Sequence, residues 1–173
     1  MKKKIGFVAA MALLGVALLS TRYYMVDLPV WHFFGGGQGP DPVTLHLRGE
    51  FVESNLGAAE GLSGSLTVRM IAQQFVFVPQ CIVVPAGVPI TFRVTSADAV
   101  HKLSFRGTNY GLKAVPGVVT EATFTFAKAG EFKIPCQEFC GAGHYAMRGH
   151  LHVVPREQFA SLLPGERRTC EPR

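Results

Sequence analysis

Two cysteines, a histidine and a methionine fall within one twelve-residue stretch, CQEFCGAGHYAM, at positions 136 to 147. Outside the cytoplasm such a cysteine pair is most often a structural disulfide. Cys136 and Cys140 are separated by three residues, however, so bonding them would close a very small ring, which adds little stability. Zinc is the next reading: two thiolates and His144 supply three ligands, with a fourth from elsewhere. Met147 argues otherwise, because a thioether is a soft donor that suits copper. A blue-copper site uses one cysteine; here there are two, four positions apart. Two thiolates on one loop can bridge two metal ions. The shared sulfurs spread charge over both, so an electron can enter or leave with little change in geometry. That suits electron transfer more than chemistry on a substrate.

A dinuclear centre needs one more strong ligand, and strand alternation supplies a candidate. In HKLSFRG, His101, Leu103 and Phe105 share one face, which the apolar pair places inward. In EFKIPC, Phe132, Ile134 and Cys136 share the inward face of the strand that enters the loop. The two chain ends meet if these strands lie side by side. A lone inward histidine is more often a core residue than a ligand, but a loop short of one ligand shifts the balance to His101. From Ser65 onward the chain reads as short strands: SLTVRMIAQQFVFV, CIVVPAG, VPITFRVTSAD, HKLSFRG, EATFTFAKAG, EFKIPC and GHLHVV. Ile90, Phe92 and Val94 alternate with Thr91, Arg93 and Thr95, and Ala122, Phe124 and Phe126 alternate with Glu121, Thr123 and Thr125. Short strands separated by Gly and Pro predict an all-β sandwich or barrel. PREQFASLL predicts a short terminal helix with Pro155 at its start.

The chain of 173 residues carries a net charge of +5, but the excess is uneven. Four of its 17 basic residues and one of its 12 acidic residues lie in the first 40, leaving +2 for the rest. That balance gives no electrostatic footprint for nucleic acid. Lys2, Lys3 and Lys4 precede an uncharged run, IGFVAAMALLGVALLS, at residues 5 to 20. The run closes on LLSTRYYMV, without a small-x-small cleavage site, so residues 1–26 read as an uncleaved membrane anchor, with a signal peptide as the alternative. Tyr23, Tyr24, Trp31, Phe33 and Phe34 suit an interfacial belt, and the lysines stay cytoplasmic. Residues 27–64 read as a linker and pre-domain segment, centred on GGGQGPDP, with no function evident in LHLRGEFVESN. Residues 65–155 form the domain, and 156–173 a terminal helix and tail. His150 and His152 read as a solvent-facing pair, His32 and His46 give no signal, and Cys81 and Cys170 fit no metal pattern but could pair in an oxidising compartment.

The set H…C-x-E-x-C-x3-H-x2-M resembles the CuA centre of subunit II of haem–copper respiratory oxidases, over residues 65 to 155. The resemblance implies that Cys136 and Cys140 bridge two coppers and that His101 and His144 each terminate one. Met147 would be a weak axial ligand to one copper, and the backbone carbonyl of Glu138 would serve the other. It implies a cupredoxin-like Greek-key sandwich with one N-terminal transmembrane helix and a short C-terminal helix. A single anchor, with Phe75 and Phe77 where most relatives carry tryptophans, resembles the B-type branch. Those two phenylalanines would serve packing or electron entry. In A-type relatives the carboxylate at the position of Glu138 also holds a magnesium at the subunit I interface, whereas B-type relatives tend to have an amide there. Magnesium is therefore left open.

The implied function is electron entry to a terminal oxidase in the cytoplasmic membrane, with a single span and the CuA domain on the periplasmic or outer side. Electrons would arrive from a c-type cytochrome or small copper protein and pass to haem in subunit I, where oxygen is reduced. A CuA subunit of a nitric oxide reductase and a membrane-tethered copper-binding protein are the alternatives. The near-neutral domain predicts weak electrostatic steering of the donor, with docking on apolar residues such as Ala142, Tyr145 and Ala146; the alternative is a local basic patch of Lys102, Arg106 and Arg148 near the loop.

Overall fold

Alternation of apolar and polar residues from Leu66 onward builds a two-layer β structure. The computed structural model describes residues 39–61, 65–162 and 169–170, together with Gly15 and Val16, which are helical. The expected anchor otherwise lies outside the described residues, among which no helix is long and apolar enough to cross a membrane. Residues Met1–Gly37 and Gln38–Arg173 are two compact units, and every strand among the described residues belongs to the second.

These strands are β1 (Gly57–Glu60), β2 (Leu66–Gln73), β3 (Val76–Val78), β4 (Cys81–Pro85), β5 (Pro89–Ser96), β6 (His101–Ser104), β7 (Gly111–Ala114), β8 (Thr120–Thr125), β9 (Gly130–Pro135) and β10 (Arg148–Val154), among the described residues. A short helix, α1 (Arg156–Ser161), follows Pro155 as expected and buries Phe159. The first layer has the order β1-β2-β5-β8, with β3 also on β2. In the second, β4-β10-β9 form one ladder and β6-β7 another. A bridge between Leu103 and Cys136 and bonds from Gln137 N to Lys102 O (2.8 Å) and Arg106 N to Lys133 O (2.9 Å) join β6 to β9, so the second layer runs continuously β4-β10-β9-β6-β7. The pairs β2–β5 and β4–β10 are parallel, which requires the chain to cross between layers rather than turn back in hairpins.

The core lies between these layers. Ile90, Phe92 and Val94 are fully buried, as their alternation requires, and Phe92 meets Phe105 edge to face at 5.1 Å. Tyr110 stacks on Phe124 at 4.6 Å and closes the far side of this aromatic cluster.

The strand-like run SLTVRMIAQQFVFV is two antiparallel strands, β2 and β3, turning at Gln74 and Phe75. Two further strands, β1 and β7, lie where the sequence shows little alternation. The stretch containing LHLRGEFVESN also has a structural role. Leu45, Phe51 and Leu56 pack on Ile71, covering the outer face of β2. Beside them Glu50 bonds Arg93 at 2.7 Å and Arg69 at 3.4 Å, and Arg93 reaches Glu121 as well. The Arg93 hydrogen bond, partly opposed by burial, holds the Glu50 carboxyl below its usual value.

Candidate metal centre

The loop between β9 and β10 starts and ends on the same ladder. Cys136 N donates to Met147 O at 3.1 Å, next to the register pair Arg148–Pro135, so the first and last residues of the stretch face each other. Between them the chain turns at Gly141, whose φ of 134° suits only glycine, and forms a 3-10 turn at His144–Ala146. The β2–β3 turn supports it from beside. A Cβ at Gly143 would collide with the Phe75 ring, and the Gln74 side-chain amide donates to the Cys140 carbonyl.

His101 enters from the start of β6 and is completely buried. β6 and β9 do lie side by side, with Leu103 bridging Cys136, so His101, two residues earlier on the same face, has its side chain beside that thiol. The imidazole is held by Asp98, whose Oδ1 accepts from Nε2 at 2.8 Å. That bond leaves Nδ1 bare and directed at Cys136 Sγ, 3.9 Å away. Asp98 is itself fixed by the backbone N–H groups of Gln74 and Ala99, each at 2.6 Å. Burial pushes the Asp98 carboxyl up, but the His101 bond and these two N–H donors outweigh it and leave it below its usual value. Neither Asp98 nor Gln74 is evident from sequence; the signal for Asp98 is its place three residues before His101, in the turn TSADAV.

Five donor groups of the loop and His101 converge. The two thiols are unbonded, with Sγ atoms 4.0 Å apart. Cys140 Sγ lies 3.7 Å from His144 Nδ1 and 3.8 Å from Met147 Sδ. Cys136 Sγ lies 3.3 Å from the Glu138 carbonyl. Each sulfur therefore faces its own imidazole, and each side has one further weak donor: a thioether for Cys140, a carbonyl for Cys136. Cys136, Cys140 and Met147 are buried, and His144 is half-buried. Burial, reinforced by the neighbouring Cys136, pushes the Cys140 thiol up to about 11. A metal entering this pocket must displace that proton. Soft sulfur with imidazole, shielded from water, fits copper better than an oxygen-seeking cation.

The other sequence candidates fall elsewhere. Phe77 is in the core, whereas Phe75 is 38% exposed beside the loop glycines. The Glu138 carboxylate points away from the thiols and pairs with Lys113 at 3.3 Å. His150 and His152 are on the outward face of β10 but half-buried, and His152 Nδ1 sits 3.5 Å from Glu131. His46 is exposed, and His32 is outside the described residues. Cys81 and Cys170 form a disulfide.

Residues 64–154 match the family described as "Cytochrome C oxidase subunit II, periplasmic domain". The chain is 34% identical over 113 residues to cytochrome c oxidase subunit 2 of Thermus thermophilus, covering 65% of this chain and 84% of that one. It is 30% identical over 89 residues to a probable cytochrome c oxidase subunit 2 of Rickettsia felis, covering 51% and 28%. Among solved structures, the periplasmic domain of subunit II of cytochrome oxidase from Bradyrhizobium japonicum superposes with a TM-score of 0.51 at 26% identity, over 55% of this chain and 88% of that one. A chain of a heme-copper terminal oxidase dimer gives a TM-score of 0.51 at 25% identity, over 84% and 98%. The family match spans β2 to β10 and includes the whole thiol loop, and on that ground the chain belongs to the cytochrome c oxidase subunit II family, as a subunit of an oxidase complex.

Proposed function

We propose that this subunit is the point at which electrons enter a terminal haem–copper oxidase. They would come from a c-type cytochrome or small copper protein and pass to haem in subunit I. Cys136 and Cys140 would bridge two coppers, with His101 on one and His144 on the other. Met147 and the Glu138 carbonyl would complete the two sides. Such a pair supplies a one-electron carrier that changes shape little between its two redox states. The supporting observation is the pair of buried thiols held 4.0 Å apart, each beside its own imidazole.

The chain's own residues prepare that site. Asp98 fixes the tautomer and direction of His101, and the packed loop keeps water from the sulfurs. Phe77 lies in the core and Phe75 against the loop, so both act in packing. Magnesium fits poorly: Glu138 offers one carboxylate, already paired with Lys113, where that ion takes several oxygens. In this reading the N-terminal segment is the single membrane span, and the domain faces the periplasmic or outer side. The single span and the two phenylalanines favour the B-type branch.

The test is copper content and electron paramagnetic resonance of the unit Gln38–Arg173 after loading. Two coppers per chain, with hyperfine splitting from two equivalent nuclei, are expected. One copper with a mononuclear spectrum would overturn the reading.

A further inference from the structure

Strand register gathers cations that are scattered in sequence. On the outward face of the second layer, Lys102 of β6 stands directly opposite Lys113 of β7. The β6–β9 register continues past β6 to place Arg106 opposite Lys133, as the bond between Arg106 N and Lys133 O shows. His150 of β10 extends that row on the far side of Lys133, and Arg148 is exposed one pair nearer the loop. Two like-charged cross-strand pairs on one face oppose folding, since each places cations at close range. The acidic groups on this face relieve only part of the charge: Glu138 pairs with Lys113, and Glu131 lies against His152. Lys102, Arg106 and Lys133 have no acidic partner among the described residues.

The location is as telling as the charge. Lys102 accepts a backbone bond from Gln137, the residue after Cys136, so the cationic face begins at the edge of the thiol loop. Tyr145 and Phe139, 90% and 74% exposed, stand on that loop. An electron donor must approach there, and fixed charge bordering a contact point raises its rate of encounter. We propose that the outward face of β7, β6, β9 and β10 is a docking surface for an acidic face of the protein electron donor. This rests on the electron-entry reading above. It departs from the expectation of weak steering, because the net charge of the domain conceals an uneven distribution.

The test uses the full-length chain in neutral detergent, titrated with two probes: an acidic c-type cytochrome, and mitochondrial cytochrome c, which is basic. Binding is followed by sedimentation or NMR across a salt series. The acidic cytochrome should bind and weaken about tenfold or more between low and physiological ionic strength. Arg106→Glu with Lys133→Glu should weaken binding about tenfold at low salt, whereas Lys128→Glu, in the turn before β9, should not. Equal or tighter binding of the basic cytochrome, or an unaffected double variant, would overturn the proposal. So would binding only to phosphatidylglycerol vesicles, which would make the face a lipid surface. Binding needs no copper, so failure of the two-copper reading would show in metal content and leave the docking result readable.

Discussion

The same set of three residues, two cysteines and a histidine, meets twice among the described residues of this domain, with opposite outcomes. Cys81, Cys170 and His152 bring their ligand atoms within 4.8 Å of one another, as do His101, Cys136 and Cys140. In the first group the sulfurs are bonded to each other across 89 residues of sequence. In the second they stand 4.0 Å apart, although only four positions separate them. Composition does not decide between these fates; backbone geometry does. Thr169 bridges Ile82 and Cys170 N donates to Cys81 O, so two extended segments present their cysteines at a Cα separation of 4.9 Å. In the loop, the turn at Gly141 and the Gln74 bond to the Cys140 carbonyl aim the two thiols at different imidazoles.

The comparison is broken most sharply by removing sulfurs one pair at a time. Cys136→Ser or Cys140→Ser should abolish the dinuclear copper signal, because each removes a bridge, while Cys81→Ser with Cys170→Ser should leave two coppers bound. Loss of copper in the second variant would mean that the two pairs are not independent. The ranking reverses for stability. Opening an 89-residue loop should cost up to about 4.5 kcal/mol in denaturant unfolding of the metal-free domain, by the loop-entropy relation. The loop serines should cost far less, since Cys136 and Cys140 make no covalent link.

A smaller effect tests how the open pair is held. Asp98→Ala removes the acceptor on His101 Nε2, and copper affinity should fall about 10- to 100-fold with the fold retained. Unchanged affinity in a copper-chelator competition would show that packing alone aims the imidazole. The smallest effect lies in the ion cluster over β2. Glu50 has a folded-state value below 4.5, so its contribution is complete above 4.5 and is lost as pH falls through the folded value. Glu50→Gln should cost about 1 kcal/mol at neutral pH, because the cluster is part-exposed, and should flatten the acid limb of a stability–pH curve. An unaltered acid limb would assign that limb to other carboxylates, Asp98 first among them.

What the sequence discloses follows distance along the chain. The thiol loop is legible because its donors are contiguous, and His101 because alternation tells which way it faces. The strands from β2 to β10 are mostly legible for the same reason. β7 is not, since Gly111 and Lys113 flank Leu112 without a second large apolar residue. Residues 41–56 read as pre-domain because their apolar members, Leu45, Phe51 and Leu56, have no strand period; they cover Ile71 from an irregular segment. Asp98 and Gln74 act through turns that bring β2, β5 and β6 together, a juxtaposition with no linear trace. The cationic face is the extreme case. Lys102, Arg106, Lys113 and Lys133 become neighbours only once the registers of three strands are known.

The disulfide also sets an order of events. Both loop thiols lie between Cys81 and Cys170 in sequence, so a chain emerging N-terminus first presents three cysteines before the proper partner of the first arrives. β4 likewise waits for β10, its parallel partner, which comes after the thiol loop. Until then Cys81 can reach only the wrong sulfurs. Closure of the correct bond thus cannot precede synthesis of the thiol loop, so both loop thiols are present to compete for Cys81 before Cys170 arrives.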